Sequence, residues 1–410
     1  MKIAVIGLGK IGLPLAVQYA RKGHDVIGID INSKTIDLIN KGIEPFPEEE
    51  HLQEYLHEVI VSKKLKATDS YEEGISNADA IVVVVPLFVD EKNEPEFKDI
   101  DSATKKIARH LKKNSLVCFE TTLPVGTTRE RLTPILENES GLKVGEDFAV
   151  VFSPERVFTG RIFQDLRKYP KIVGGITEHC AEKGVFFYEN VLDFDVRHDL
   201  PRPNGVWRLK TTESAELVKL AETTYRDVNI AFANEISKVA KKHNVETTEV
   251  IDGANSQNYS HIHQPNISVG GHCIPVYPHF LIWQNPELKL IKISRQTNDE
   301  MPEYFLNIFD NYLKLRNKNV LILGVTYRPR VREVYNSGAL KLRRLLIERG
   351  CMVYAIDPLF SEQELEELGF LTPSKSLDEI DAVIVHTPNE IFSRLKFNNK
   401  SIKIFDLNTQ

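Results

Sequence analysis

At 410 residues the chain exceeds what one hydrophobic core accommodates and fits two or three domains of ordinary size. A composition 42% hydrophobic and 27% charged is that of a folded globular protein, not a disordered or fibrous one. The net charge of −6 argues against an extended nucleic-acid footprint, which needs a basic face, although a local cluster of donors still suits a polyanionic small molecule.

The opening run Lys2–Ile6 has the apolar character of a strand buried on both faces. Gly7-Leu8-Gly9-Lys10-Ile11-Gly12 follows directly, then a helical stretch to about Arg21 that Gly23 closes as a C-cap. Neither a signal peptide nor a membrane anchor is expected, since the first apolar run breaks at once into glycine. A second strand, Asp25 to Ile29, ends at Asp30. Further strands are expected at Ala80–Val85, Leu116–Glu120 and Ala149–Phe152, alternating with amphipathic stretches such as 98–113. That alternation predicts a parallel sheet wrapped by helices. The most apolar segment, Ala80–Val89, contains Pro86 and falls well short of the roughly 20 residues a membrane span requires.

From Thr211 to His243 no glycine or proline occurs, and Leu217, Leu220, Ala221, Tyr225, Val228 and Phe232 recur at spacings of three and four. One unusually long helix is predicted, of the kind that bridges domains or meets a partner subunit. The C-terminal part then repeats the opening. Asn319–Gly324 echoes Lys2–Gly7, Arg349–Asp357 echoes Lys22–Asp30, and Asp381–Pro388 echoes Asp79–Pro86, in the same order. The predicted fold class is α/β: two Rossmann-like doubly wound domains joined by a central helical domain. Boundaries are expected at 1–205, 206–312 and 313–410.

A G-x-G-x-x-G motif is weak alone, but here it follows a strand, opens a helix, and has Asp30 ending the next strand eighteen residues after Gly12. Gly7 makes the turn, Gly9 lets backbone N–H groups approach a pyrophosphate, and Gly12 permits close helix–strand packing. Asp30 would take the adenosine ribose hydroxyls and repel a 2′-phosphate, which favours NAD over NADP. The second α/β domain has no such fingerprint after Gly324. Its Arg328, Arg330 and Arg332 fit either an anionic ligand or a solvated basic patch.

Four cysteines, at 118, 180, 273 and 351, are too scattered for a disulfide framework or a zinc site, so no metal is expected and a reduced, cytoplasmic setting is. Cys118, Cys180 and Cys351 read as small core residues. Cys273 lies in Val269-Gly-Gly-His-Cys-Ile-Pro275, where backbone can approach a substrate. It is either a turn residue or a nucleophile. Beside an NAD site, a thiol is needed when an aldehyde is captured and oxidised further.

At this point the residues carry a resemblance. Gly7–Ala16, Thr121–Thr128, Ser153–Gly160, Ala215–Glu222, Tyr225–Glu235 and Gly270–Pro275 together resemble the UDP-glucose/UDP-N-acetylmannosamine 6-dehydrogenase family over essentially the whole length. The Gly-Gly-His-Cys and Ser-Pro-Glu-Arg forms resemble the branch acting on N-acetylated sugars. The resemblance implies oxidation of the C6 alcohol of a UDP-sugar to a carboxylate, through a thioester, by a cytoplasmic homodimer formed through the long helix. UDP-N-acetyl-D-mannosamine is the expected substrate, with UDP-N-acetylglucosamine or UDP-glucose as rivals.

It further implies Cys273 as the thiol, Lys219 at the oxyanion, Glu155 as general base and Thr122 as a residue holding the water. Cofactor contacts are expected from Gly7, Gly9, Lys10, Ile11, Gly12, Asp30, Lys34, Pro86 and Thr122. Substrate contacts are expected from Arg156, Val157, Lys219, Thr223, Arg226, Gly270, Tyr327 and Arg328, with UDP in the C-terminal domain. Several positions depart from the family pattern, Gln257 standing for the histidine of a His-x-Arg pair among them. Thr223 stands for Asn, Tyr277 for Asp, Tyr259 for the arginine of that pair, and Tyr335 for a cofactor-reaching arginine. These departures motivate a rival reading, a paralogue that binds nucleotide sugar and turns over poorly. A hydroxyacid or 6-phosphogluconate-type dehydrogenase shares the NAD domain but has no use for the cysteine loop.

Overall fold

The structure, a computed structural model, describes residues 1–397 and 402–406. The chain divides into two compact units, Met1–Ala221 and Glu222–Gln410. The first unit is built on eight strands: β1 (Lys2–Ile6), β2 (Asp25–Ile29), β3 (Leu65–Thr68), β4 (Ala80–Val83), β5 (Leu116–Phe119), β6 (Ala149–Phe152), β7 (Lys171–Gly175) and β8 (Val206–Leu209). They lie in the order β3-β2-β1-β4-β5-β6-β7-β8, and only the β6–β7 pair is antiparallel. Central strands β4, β5 and β6 are buried at every residue, because helices cover both faces. The order reverses beside β1, and the crevice past the strand ends at such a switch point is where doubly wound sheets bind ligands.

The second unit has β9 (Asn319–Leu323), β10 (Met352–Ile356), β11 (Ala382–Val385) and β12 (Lys403–Asp406), all parallel in the order β10-β9-β11-β12. The three sequence echoes thus fall on β1 and β9, β2 and β10, β4 and β11, and each set has its first strand in the middle. In chain order between the two sets of strands, the predicted long helix runs from Thr212 to Lys242, followed by helices Thr247–Asn255, Tyr277–Gln284 and Lys289–Leu313. Within the second unit the long helix is tied to the last of these by a buried ion pair, Asp227 with Arg295. Asn298 Nδ2 adds a hydrogen bond of 2.8 Å to Asp227 Oδ1.

The start of the long helix is held in the first unit by a buried carboxylate. Glu216 accepts hydrogen bonds from Gly126 N (2.6 Å), Thr128 N (2.9 Å) and Thr128 Oγ1 (2.7 Å), closing the loop after β5 onto the turn that carries Lys219. Burial pushes its pKa up to about 7, even though all three donors favour the ionised form. A carboxyl raised in the fold binds its proton more tightly there than in the unfolded chain. Its contribution to stability is therefore complete below pH 4.5 and is lost as pH rises through 7. Glu216→Gln keeps an acceptor without the charge. Unfolding measurements between pH 5 and 8 should show wild type losing up to about 3 kcal/mol relative to the variant.

Candidate active site

The glycine motif makes the turn its spacing predicts. Gly7 has φ of +91° and donates to Ile29 O at 2.8 Å. A Cβ on Gly12 would stand 1.8 Å from Gly7 O, so only glycine lets the helix Gly12–Arg21 start so close to β1. Around Gly9 a Cβ would meet nothing within 4 Å. That open space is what a pyrophosphate on the helix N-terminus needs. Asp30 is fixed by Leu8 N (2.7 Å) and Asn32 N (2.8 Å), one on each carboxylate oxygen, leaving lone pairs for ribose hydroxyls. Of the other expected cofactor contacts, Lys10 pairs with Glu48 at 2.7 Å and Ile11 precedes the helix. Lys34 is exposed in the first turn of helix Ser33–Asn40, and Pro86 is exposed beyond β4. These residues fit NAD.

Past the ends of β5 and β6 the first unit gathers Thr122, Glu155 and Lys219. Thr122 is buried, and its neighbour Thr121 donates to Val85 O at 2.6 Å. Glu155 lies in irregular chain after β6, not at a helix entry. Lys219 is buried rather than solvated, with its Nζ 2.7 Å from the Glu155 carbonyl oxygen. The Glu155 carboxylate accepts from Arg156 N at 2.8 Å and from Lys171 Nζ at 2.7 Å. The Arg156 guanidinium is turned to Pro170 O at 3.3 Å, and Val157 packs on the core.

Two groups behind Glu155 escaped the reading of the sequence. Lys171 Nζ also donates to Glu120 Oε2 at 2.8 Å, and Glu120 Oε1 accepts from Tyr188 (2.7 Å) and Tyr19 (3.3 Å). Burial pushes Glu120 up to about 7. Burial acts on Glu155 in the same direction, but the Lys171 ammonium and the hydrogen bonds to its carboxylate outweigh it and hold it below the ordinary range. A glutamate ending an apolar strand and a lysine opening another were the only local signals. Glu49 was missed likewise: it receives Gly160 N (2.6 Å) and Ile162 N (2.5 Å), anchoring the chain after Glu155.

In the second unit Cys273 is exposed, whereas Cys118, Cys180 and Cys351 are buried. Its loop is seated on the segment after β9. A Cβ on Gly270 would come within 2.5 Å of Tyr327 Cβ, and Gly271 donates to Tyr335 O at 2.9 Å. His272 stacks on Tyr335 with ring centroids 4.2 Å apart and stands 3.3 Å from Glu333 Oε2. Tyr277, in the place of the family's Asp, opens a helix whose first N–H reaches Cys273 O at 2.9 Å. On the long helix Thr223 is fully buried and Arg226 half-buried. Of the three arginines after Gly324, Arg328 is half-buried and Arg330 exposed, while Arg332 is held by Glu364 and by Leu359 O at 2.9 Å. That engagement gives Arg332 a structural role.

A dinucleotide turn, a helical middle and a second parallel sheet lacking the fingerprint define an NAD-dependent dehydrogenase with a separate nucleotide domain. The chain belongs to the UDP-glucose/GDP-mannose dehydrogenase family, whose NAD binding domain matches residues 1–192, central domain 213–300 and UDP binding domain 321–408. It is 35% identical over 403 residues to the UDP-N-acetyl-D-mannosamine dehydrogenase of Campylobacter jejuni, covering 94% of each chain. The solved UDP-D-ManNAc dehydrogenase of Pyrococcus horikoshii superposes with a TM-score of 0.86 at 32% identity, over 100% of this chain and 95% of that one. A UDP-glucose dehydrogenase from Pyrobaculum islandicum gives 0.87 at 26% identity, over 99% and 94%. The protein is an NAD-dependent UDP-sugar dehydrogenase.

The two glycines separate folding from binding. Gly9→Ala should keep the wild-type melting temperature yet weaken NAD binding by about tenfold or more, read by calorimetric titration. Gly12→Ala, driven into Gly7 O, should lose both.

Proposed function

We propose that the protein oxidises the C6 alcohol of a UDP-N-acetylated hexose to the uronate, with UDP-N-acetyl-D-mannosamine as substrate. The observation that carries this reading is Cys273, the exposed thiol of the four, in a glycine loop seated against Tyr327. An alcohol-to-aldehyde dehydrogenase has no need of it; a four-electron oxidation does. The names of the relatives supply the sugar.

NAD⁺, once bound by the turn at Gly7–Gly12, supplies the hydride acceptor. As the C6 carbon gives up its hydride and the C6 hydroxyl gives up its proton to water, the ammonium of Lys219 offsets charge on the oxygen. The Cys273 sulfur adds to the aldehyde carbon and its proton goes to the carbonyl oxygen, giving a thiohemiacetal. Loss of that hydroxyl proton with a second hydride gives the thioester. Glu155 then takes a proton from water, with Thr122 helping to hold it. The hydroxide adds to the thioester carbon, and the thiolate leaves the uronate.

Residues 1–205 serve NAD, 206–312 carry the cysteine loop and dimer contact, and 313–410 serve UDP, with Tyr327 and Arg328 toward the nucleotide. Tyr225, Phe232 and Val239 recur every seven residues on the long helix and are 56%, 50% and 56% exposed, which supports a homodimer through that face. The three buried free thiols support a reducing, cytoplasmic setting.

Across a panel of UDP-hexoses, UDP-N-acetyl-D-mannosamine should release two NADH per sugar and yield the uronate by mass spectrometry. Cys273→Ala should lower uronate formation by more than about a thousandfold; full activity in that variant would remove the thioester mechanism. Binding of every UDP-sugar without uronate would favour the weakly active paralogue, to which Thr223, Tyr259, Tyr277 and Tyr335 point. Phe232→Glu should halve the mass seen by light scattering.

A further inference from the structure

Behind Glu155 one ammonium serves two carboxylates. Lys171 Nζ is 2.7 Å from Glu155 Oε2 and 2.8 Å from Glu120 Oε2, and lies 4.8 Å from the centre of the Tyr188 ring. The side chains are 5% (Lys171), 0% (Glu120) and 11% (Glu155) exposed, so water does little to screen the charges. With both carboxyls ionised the group carries one negative charge in excess. Buried groups tolerate such an imbalance poorly, and it is relieved by one proton.

We infer that Glu120 and Lys171 are positioning residues for Glu155, the three forming one acid–base unit whose excess negative charge is relieved when the unit as a whole takes up one proton, entering through Glu155. This rests on the reading of Glu155 as the base of thioester hydrolysis. In that step the O–H bond of water breaks, its proton goes to the Glu155 carboxylate and its electron pair forms the C–O bond. Lys171 holds the carboxylate in place beforehand, and Glu120 makes the unit a stronger proton acceptor than a single ion pair. The surroundings are consistent with this. Tyr19 on helix Gly12–Arg21, Tyr188 on helix Glu178–Val191 and Cys118 on β5 face Glu120, and burial raises all three above their ordinary range, so they stay protonated near neutrality. The Lys219 ammonium bonds the Glu155 backbone carbonyl, not its carboxylate.

The unit predicts opposite displacements from its two hidden members. Glu120→Gln removes the competing negative charge, so the acid limb of the pH–rate profile for uronate release should fall by about one pH unit. Lys171→Met leaves two carboxylates without their cation, so the limb should rise by about one pH unit. Lys171→Arg restores the cation and should return it to the wild-type position. KM for the UDP-sugar should change little in each. The same displacements should appear in the cofactor-free protein as a shift in the pH at which the Glu155 carboxylate infrared band is lost, assigned by difference against Glu155→Gln. Limbs and bands that stay in place, with activity merely lowered, would overturn the proposal while leaving Glu155 as base. Wild-type hydrolysis by Glu155→Gln would instead remove the base assignment, and the proposal with it. Should Lys171→Met fail to fold, Glu120→Gln and Lys171→Arg still decide the matter.

Discussion

Irregular chain has no ladder to satisfy its backbone N–H groups, and in this protein carboxylates do so, Glu49 and Glu216 buried, Asp30 and Glu155 partly so. Asp30 takes Leu8 N and Asn32 N, Glu216 takes Gly126 N and Thr128 N, Glu49 takes Gly160 N and Ile162 N, and Glu155 takes Arg156 N. A carboxylate, when ionised, is a stronger acceptor than a neutral side chain and holds its loop correspondingly more firmly. The arrangement has a cost in desolvation, visible as the raised pKa values of Glu49 and Glu216, both about 7. Glu155 differs in having a cation, Lys171, against its carboxylate, one that it shares with Glu120.

The scaffold was largely legible because its signals are local. A doubly buried strand is an apolar run, a dinucleotide turn is glycine spacing, and a long amphipathic helix is an uninterrupted stretch without breakers. All three landed where the structure has them, the helix within a residue at each end. Strands β3, β7, β8 and β12 were passed over: Leu-Lys-Ala-Thr, Val-Trp-Arg-Leu and Lys-Ile-Phe-Asp are sheet-edge segments of mixed polarity, and Lys-Ile-Val-Gly-Gly is a short run ending in two glycines. The groups behind the site were invisible for a different reason. Glu120 meets Lys171 across 51 positions, Glu216 meets the β5 loop across 88 to 90, and Glu49 meets its donors across 111 to 113. Such pairings belong to the topology, and no spacing rule reports them.

The departures from the family pattern acquire physical content. Tyr335 offers a ring that stacks on His272 next to the cysteine, where an arginine would offer charge. Tyr277 starts a helix capped by the carbonyl of Cys273 itself. The loop is thus organised by aromatic packing and backbone bonds, with glycine at 270 because Tyr327 leaves no room for a side chain.

The echo between the two sheets extends to single atoms. Asp357, closing β10, accepts from Val325 N at 2.7 Å and Leu359 N at 2.9 Å, as Asp30 accepts from Leu8 N and Asn32 N. The same latch therefore exists in a turn with the full glycine fingerprint and in one without it. At both strand ends the aspartate thus fastens the strand–turn–helix unit, with or without the glycines. An aspartate in that place is therefore evidence for the fastening of the turn, and the glycines that open the turn are what distinguish a dinucleotide site.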